Sequence, residues 1–230
     1  MNKEGNLYTI VYAVSVAVVV AVVLAFTSEA LHPLQARNVA IDKIRQLLTS
    51  IHIESTHSNA EELFEKYITD SYLVNSQGDK VPGDAFKTDL ADELTKPGPE
   101  RNYPVFEARI DGNKKYILSM QGTGLWGPIW GFISLDDDKN TVYGASFGHE
   151  GETPGLGAEI DQPPFRHEFV GKKFFNPENQ FVSIAVVKAG KSAHGQDYVD
   201  GVSGGTITSQ GVDAMLKSSI GNYEMFLRKK

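Results

Sequence analysis

The chain contains no cysteine. This excludes a disulfide framework, a thiolate metal site and a cysteine nucleophile, and it fits either side of a membrane equally well. No Gly-x-Gly-x-x-Gly follows a strand pattern, so a Rossmann-type NADH site is unsupported. No Ser/His/Asp arrangement pairs a nucleophile with a base. Basic residues are scarce: 22 Lys and Arg stand against 29 Asp and Glu, a net charge of −7, which argues against a nucleic-acid surface. The scarcity is sharpest near the C-terminus, where no Lys or Arg occurs between Lys191 and Lys217. There is no repeat at solenoid periods. The most linker-like piece is the Pro/Gly break Thr95-Lys96-Pro97-Gly98-Pro99-Glu100-Arg101-Asn102.

One long apolar run is present, Leu7 to Phe26. It is uncharged and long enough to cross a hydrocarbon core of about 30 Å. Its basic flank is a single Lys3 beside Glu4, and Thr27-Ser28-Glu29-Ala30 is a poor cleavage site, so the run reads as a retained anchor and not a signal peptide. Counting charges gives Lys3 on one side and Arg37, Lys43 and Arg45 on the other, which mildly favours a cytoplasmic C-terminal side, although large domains translocate largely regardless of charge. The expected organisation is a short tail at 1–6, a transmembrane anchor at 7–27, an amphipathic connecting helix at 28–58 and one domain at 59–230. About 200 residues outside the anchor are enough for one sizeable core.

After Pro33, Val39, Ala40, Ile41, Ile44, Leu47, Leu48 and Ile51 recur at helical spacing. Asn59 is placed to cap a second helix through Leu63, Phe64, Tyr67 and Ile68. Strands are expected at 71–75, 103–110, 114–120, 129–135, 141–149 and 181–189. Asp111-Gly112-Asn113 is a hairpin signal, and Asp136 to Asn140 reads as a solvated turn without the Gly and Glu of a calcium loop. Long strands among short helices predict an α+β class with an antiparallel-rich sheet and flanking helices.

The richest segment is Asp200-Gly201-Val202-Ser203-Gly204-Gly205-Thr206-Ile207-Thr208-Ser209. Glycines let a backbone approach a ligand, and the helical face Val212, Met215, Leu216, Ile220 begins directly afterwards. A helix start offers unpaired amides to an anion. Thr208 and Ser209 are N-cap candidates, and Gly221 is a candidate stop. With no cation nearby, a phosphate bound here must be held by amides and hydroxyls or by a covalent bond. By spacing alone, a Ser/Thr/Gly loop that merely caps an ordinary helix is the better reading.

Two middle segments add to this. Gly122-Thr123-Gly124-Leu125-Trp126-Gly127-Pro128-Ile129-Trp130 holds both tryptophans of the chain. Trp126, framed by Leu125 and Gly127, suits a wall against a stacked ring, whereas Trp130 suits the core or a membrane interface. His149, Glu150 and Glu152 are metal-ligand types, but a single cluster fits a structural loop better. They open His149-Glu150-Gly151-Glu152-Thr153-Pro154-Gly155-Leu156-Gly157.

The segment 200–206 resembles the flavinylation motif of the FMN-binding domain family, Asp-x-x-Ser/Thr-Gly-Ala-Thr/Ser, with Gly205 where the family usually has Ala. Glu152 to Gly157 resembles that family's Glu-Thr-Pro-Gly-Leu-Gly signature. The resemblance implies FMN bound covalently by a phosphoester to Thr206, with Ser203, Gly204, Gly205, Thr208, Thr153, Leu156, Gly157 and Trp126 as cofactor contacts. A diester carries one negative charge where free FMN carries nearly two, which agrees with the missing cations. With the anchor added, the whole chain resembles the C subunits of Na⁺-translocating NADH:quinone oxidoreductases. That implies a one-electron relay in a multisubunit complex with multispan membrane partners, a separate flavin transferase for maturation, and no complete active site on this chain. It also implies a bacterial inner-membrane protein with a cytoplasmic N-terminus and a periplasmic domain. The alternatives are the G subunit of an Rnf-type electron-transport complex and a membrane-tethered flavin redox sensor.

Overall fold

The structure, a computed structural model, describes residues 6–229. The rest of the expected tail at 1–6, with Lys3, lies outside the described residues. The chain forms two compact units, Met1–Lys43 and Ile44–Lys230. Helix α1 runs from Asn6 to Ser50, with Pro33 inside it. Proline costs one helical N–H bond, yet strong helical pattern on both flanks carries the helix through it. In the first unit the side chains from Leu7 to Phe26 are exposed apart from the half-buried Tyr8, and α1 is long and apolar enough to cross a membrane.

The second unit contains the end of α1, where Ile44, Leu47, Leu48 and Ile51 are buried. Then follow α2 (Ala60–Tyr67), β1 (Ile68–Asn75), β2 (Lys80–Val81), α3 (Leu90–Thr95), β3 (Asn102–Ile110), β4 (Asn113–Thr123), β5 (Pro128–Leu135) and β6 (Val142–His149). Next come α4 (Pro163–His167), β7 (Ala185–Val187), β8 (Tyr198–Asp200), α5 (Thr206–Met215), a π turn at Leu216–Ile220 and α6 (Glu224–Arg228). Six strands form one antiparallel sheet in the order β2-β1-β3-β4-β5-β6. β7 and β8 pair in parallel. This is the α+β, antiparallel-rich architecture expected.

The β3–β4 hairpin closes through Asp111 and Gly112, whose φ values of 48° and 80° are the left-handed pair that a two-residue turn needs. β4 outruns β3, whose pairing stops at Val105↔Leu118 beside Pro104, a residue without an N–H. The C-terminal helices take over there. Ser219 Oγ accepts from Gln121 N–H at 3.1 Å and donates to Gln121 O at 3.0 Å. Tyr223, fully buried, donates its hydroxyl to Pro104 O at 2.9 Å. Val212, Met215, Leu216 and Ile220, the face read from the sequence, are all buried in the core with Leu118, Met120 and Ile129.

Several local expectations change. The strand expected at 181–189 shrinks to Ala185–Val187, because Ser183 takes φ 65° and the amides of Val182 and Ser183 both bond Phe174 O. The linker-like 95–102 is a tight connection inside the domain. There the buried Glu93 accepts Asn102 N–H at 2.9 Å and holds Lys96. Asn59 does not cap α2 with its side chain; its Oδ1 accepts from Thr56 N–H at 2.7 Å instead. Gly221 is right-handed helical at φ −56°, so it is not a left-handed stop. Asp138 of the acidic turn is consumed locally, accepting from Asn140 N–H and from the amide and hydroxyl of Thr141.

Candidate functional site

Helix α5 begins three to four residues earlier than its hydroxyls suggested. Gly205 is the N-cap, at φ −103° and ψ 39°, and no side chain caps the helix. Thr206 is therefore the first helical residue and is exposed. The first helical backbone bond is donated by Ser209 to Gly205 O at 2.8 Å. The amides of Thr206, Ile207 and Thr208 precede it and face the region where an anion gains from the helix dipole. A glycine N-cap brings no oxygen of its own to occupy them.

Thr208 and Ser209 are not caps; both are buried inside α5 and brace the loops around it. Ser209 Oγ accepts from Val202 N–H at 2.9 Å, which folds the glycine loop back on the helix. Thr208 Oγ1 donates to Glu152 Oε2 at 2.5 Å. The rival hydroxyls of the sequence are thus engaged internally, while Thr206 lies on the surface.

The two motifs meet. A cleft of about 220 Å³ is lined by Leu125, Glu152, Thr153, Leu156, Gly157, Gly204, Gly205, Thr206, Ile207 and Thr208. Seven of the nine site residues read from the sequence lie in it. Ser203 and Trp126 flank it in the chain, both exposed, Trp126 at 69%. None of the ten lining residues is Lys or Arg, so the scarcity of cations along the chain holds in three dimensions too.

Three glycines owe their place to close approach. Gly204 has φ 78°, and a Cβ there would lie 2.5 Å from Leu156 Cδ2. At Gly205 a Cβ would lie 3.2 Å from the Gly157 backbone, so the alanine common in the resembling motif would require the 152–157 loop to yield by a few tenths of an ångström. A Cβ at Gly157 would overlap Glu152 Oε2 and Thr208 Oγ1. Gly157 therefore makes room for that buried pair, whatever else it touches.

Glu152 is the site residue that sequence reasoning misses, because in the sequence it is only a metal-ligand type. It is 4% exposed. Oε1 accepts Trp126 N–H at 2.9 Å, and Leu125 N–H contributes as well. The carboxylate thus ties the 124–127 loop to α5. Burial would raise its pKa, but the Thr208 hydroxyl, these amides and His149 outweigh it and hold the group below the ordinary value. The signal is present in the sequence, since Glu152 opens the 152–157 motif. His149 Nδ1 accepts Glu152 N–H at 3.2 Å, and its Nε2 lies 3.8 Å from Asp161. No group of three His, Cys, Asp or Glu is arranged for a metal among the described residues.

Exposed apolar side chains, Leu125, Leu156 and Ile207, line the cleft, and Trp126 adjoins them in the chain. Beyond α1, six large apolar side chains are exposed among the described residues, and four of them are Leu125, Trp126, Leu156 and Ile207. Sites that enclose a whole ligand usually span about 300–1,000 Å³. A cleft of about 220 Å³ fits the phosphate and ribityl end of a flavin mononucleotide, with amides and small residues at its floor, and leaves the flat ring to the rim. The residues present fit that group.

Residues 124–221 match the model of the FMN-binding domain. The chain is 32% identical to the C subunit of the Na⁺-translocating NADH-quinone reductase of Vibrio vulnificus, over 89% of this chain and 86% of that one. A crystal structure of the C subunit from Parabacteroides distasonis superposes with a TM-score of 0.83 at 54% identity, covering 87% of this chain and 98% of that one. A crystal structure of NqrC from Shewanella oneidensis, at 22% identity, shares the fold with a TM-score of 0.68 over 84% of this chain and all of that one.

Proposed function

We propose that this chain relays electrons on a bound flavin, and the premise is its family: the chain belongs to the C subunits of the Na⁺-translocating NADH-quinone reductases. The cofactor is FMN, joined by a phosphoester to Thr206. The observation that carries this reading is the exposed Thr206 hydroxyl at the first position of a glycine-capped helix, in a cleft without Lys or Arg. The amides of Thr206, Ile207 and Thr208 would hold the phosphate group, and Gly204 and Gly205 would give the chain its close approach. Thr153 and Gly157 would border the ribityl chain, and Leu125, Trp126, Leu156 and Ile207 would receive the ring.

Bound FMN supplies one-electron chemistry that no side chain of this protein can perform. This chain's residues would position the ring and keep the phosphate attached. The open rim suits the role, since a relay must bring its ring near donor and acceptor, and the tether removes any need for tight ring binding. NADH and quinone are handled elsewhere in the complex. Segment 7–27 anchors the chain in the bacterial inner membrane with the N-terminus cytoplasmic, 28–58 connects, and the domain works on the periplasmic side. Its partners are the multispan subunits of the reductase, and a separate flavin transferase attaches the FMN.

In-gel flavin fluorescence after denaturation tests the assignment, on chain co-expressed with the transferase. Wild type, Thr206→Ser and Thr208→Ala retain the signal, and Thr206→Ala loses it. A fluorescent Thr206→Ala band, or a wild-type chain whose intact mass shows no added FMN, overturns it.

A further inference from the structure

Glu152 is an anion built into an anion site. Its carboxylate reaches the first turn of α5 through Thr208 and is enclosed by two glycines, Gly124 and Gly157, at which an added Cβ would collide with its oxygens. It is buried, and its donors keep it ionised at neutral pH. Against that full charge the cleft sets only the helix N-terminus, equivalent to about +0.5 of a charge. With no Lys or Arg in the lining, the cleft by itself is already electrostatically negative. The Thr208 hydroxyl, which would otherwise serve a phosphate, is committed to Glu152.

We propose that Glu152 determines the charge specificity of the flavin site: its carboxylate disfavours dianionic flavin phosphates relative to the singly charged ester. The inference rests on the FMN reading above and deepens it, because it says why a singly charged ester suits this cleft better than free FMN. A free phosphate monoester brings about 1.5 to 2 negative charges, and its second ionisation lies near pH 6. Coulomb repulsion between the carboxylate, which reaches the first turn of α5, and one additional phosphate charge weakens binding about tenfold. Esterification removes that charge, so the same cleft tolerates the tethered group.

The test uses full-length Thr206→Ala chain in detergent at pH 8, titrated with riboflavin, FMN and riboflavin 5′-methyl phosphate by fluorescence. The methyl ester binds about tenfold more tightly than FMN. Adding Glu152→Gln brings FMN to within about threefold of the ester and leaves riboflavin within about twofold of its former affinity. FMN binding as tightly as the ester overturns the proposal. So does an ester-to-FMN ratio that Glu152→Gln leaves unchanged in a chain that keeps its melting temperature. If Glu152→Gln does not fold, the ranking on Thr206→Ala alone decides. A wild-type chain without covalent flavin would overturn the attachment at Thr206 while leaving this ranking intact; a reversed ranking beside a flavinylated wild type overturns only the role of Glu152.

Discussion

Replacing Gly157 by alanine separates two explanations for a glycine in the flavin cleft. If Gly157 served only ligand access, alanine would leave the ligand-free protein unharmed, since its backbone is not left-handed. The structure says otherwise, because the new methyl overlaps Glu152 Oε2 and Thr208 Oγ1, which are bonded to each other in a buried place. Displacing that charged hydrogen bond costs about 1.5–3 kcal/mol, and the crowding adds about 1–3 kcal/mol. A total of about 2.5–6 kcal/mol lowers the melting temperature of a protein this size by roughly 5–24 °C. Gly151 is the matched control, since a Cβ there meets nothing within 4 Å and its backbone is also not left-handed. Gly151→Ala changes stability by no more than about 0.5 kcal/mol. Both variants are melted without flavin, as full-length chain in detergent, followed by near-ultraviolet circular dichroism. If Gly157→Ala melts within about 2 °C of Gly151→Ala, the carboxylate slot is not what fixes this glycine.

Three further outcomes rest on the same geometry. Glu152 has a folded pKa below its ordinary value of 4.5, so its stabilisation is full above that value and is lost as the pH falls through the lower folded one. Wild type therefore loses stability as the pH falls below about 4.5 more steeply than Glu152→Gln, and parallel acid limbs in chemical denaturation would contradict this. Ser219→Ala removes both bonds to Gln121 where β4 outruns β3 and costs about 1–3 kcal/mol in urea unfolding; a midpoint equal to wild type would show that water replaces them without loss. Trp126→Ala, at a side chain 69% exposed, leaves ligand-free stability within about 0.5 kcal/mol but alters the visible circular dichroism of the flavinylated chain. An unaltered spectrum removes Trp126 from the ring's surroundings.

Much of this molecule is written in short windows of its chain. The apolar run at 7–26, the hairpin at Asp111-Gly112, the long strands of the sheet and the face Val212-Met215-Leu216-Ile220 are local patterns. Each depends on neighbours a few residues away, and local periodicity carries that information. The absence of Lys and Arg around Thr206 is equally plain in the bare sequence. What depends on distant partners emerges only on folding. Gly205, and not a hydroxyl, starts α5, because Thr208 and Ser209 are drawn inward by Glu152 and Val202. The strand expected at 181–189 is cut short by the bonds of Val182 and Ser183 to Phe174. Above all, Glu152 is an isolated acid in a loop until folding across 56 residues gives its charge a hydroxyl, amides and two glycine walls. A buried charge is tolerable only when its partners are in place, and those partners come from parts of the chain that no short window spans.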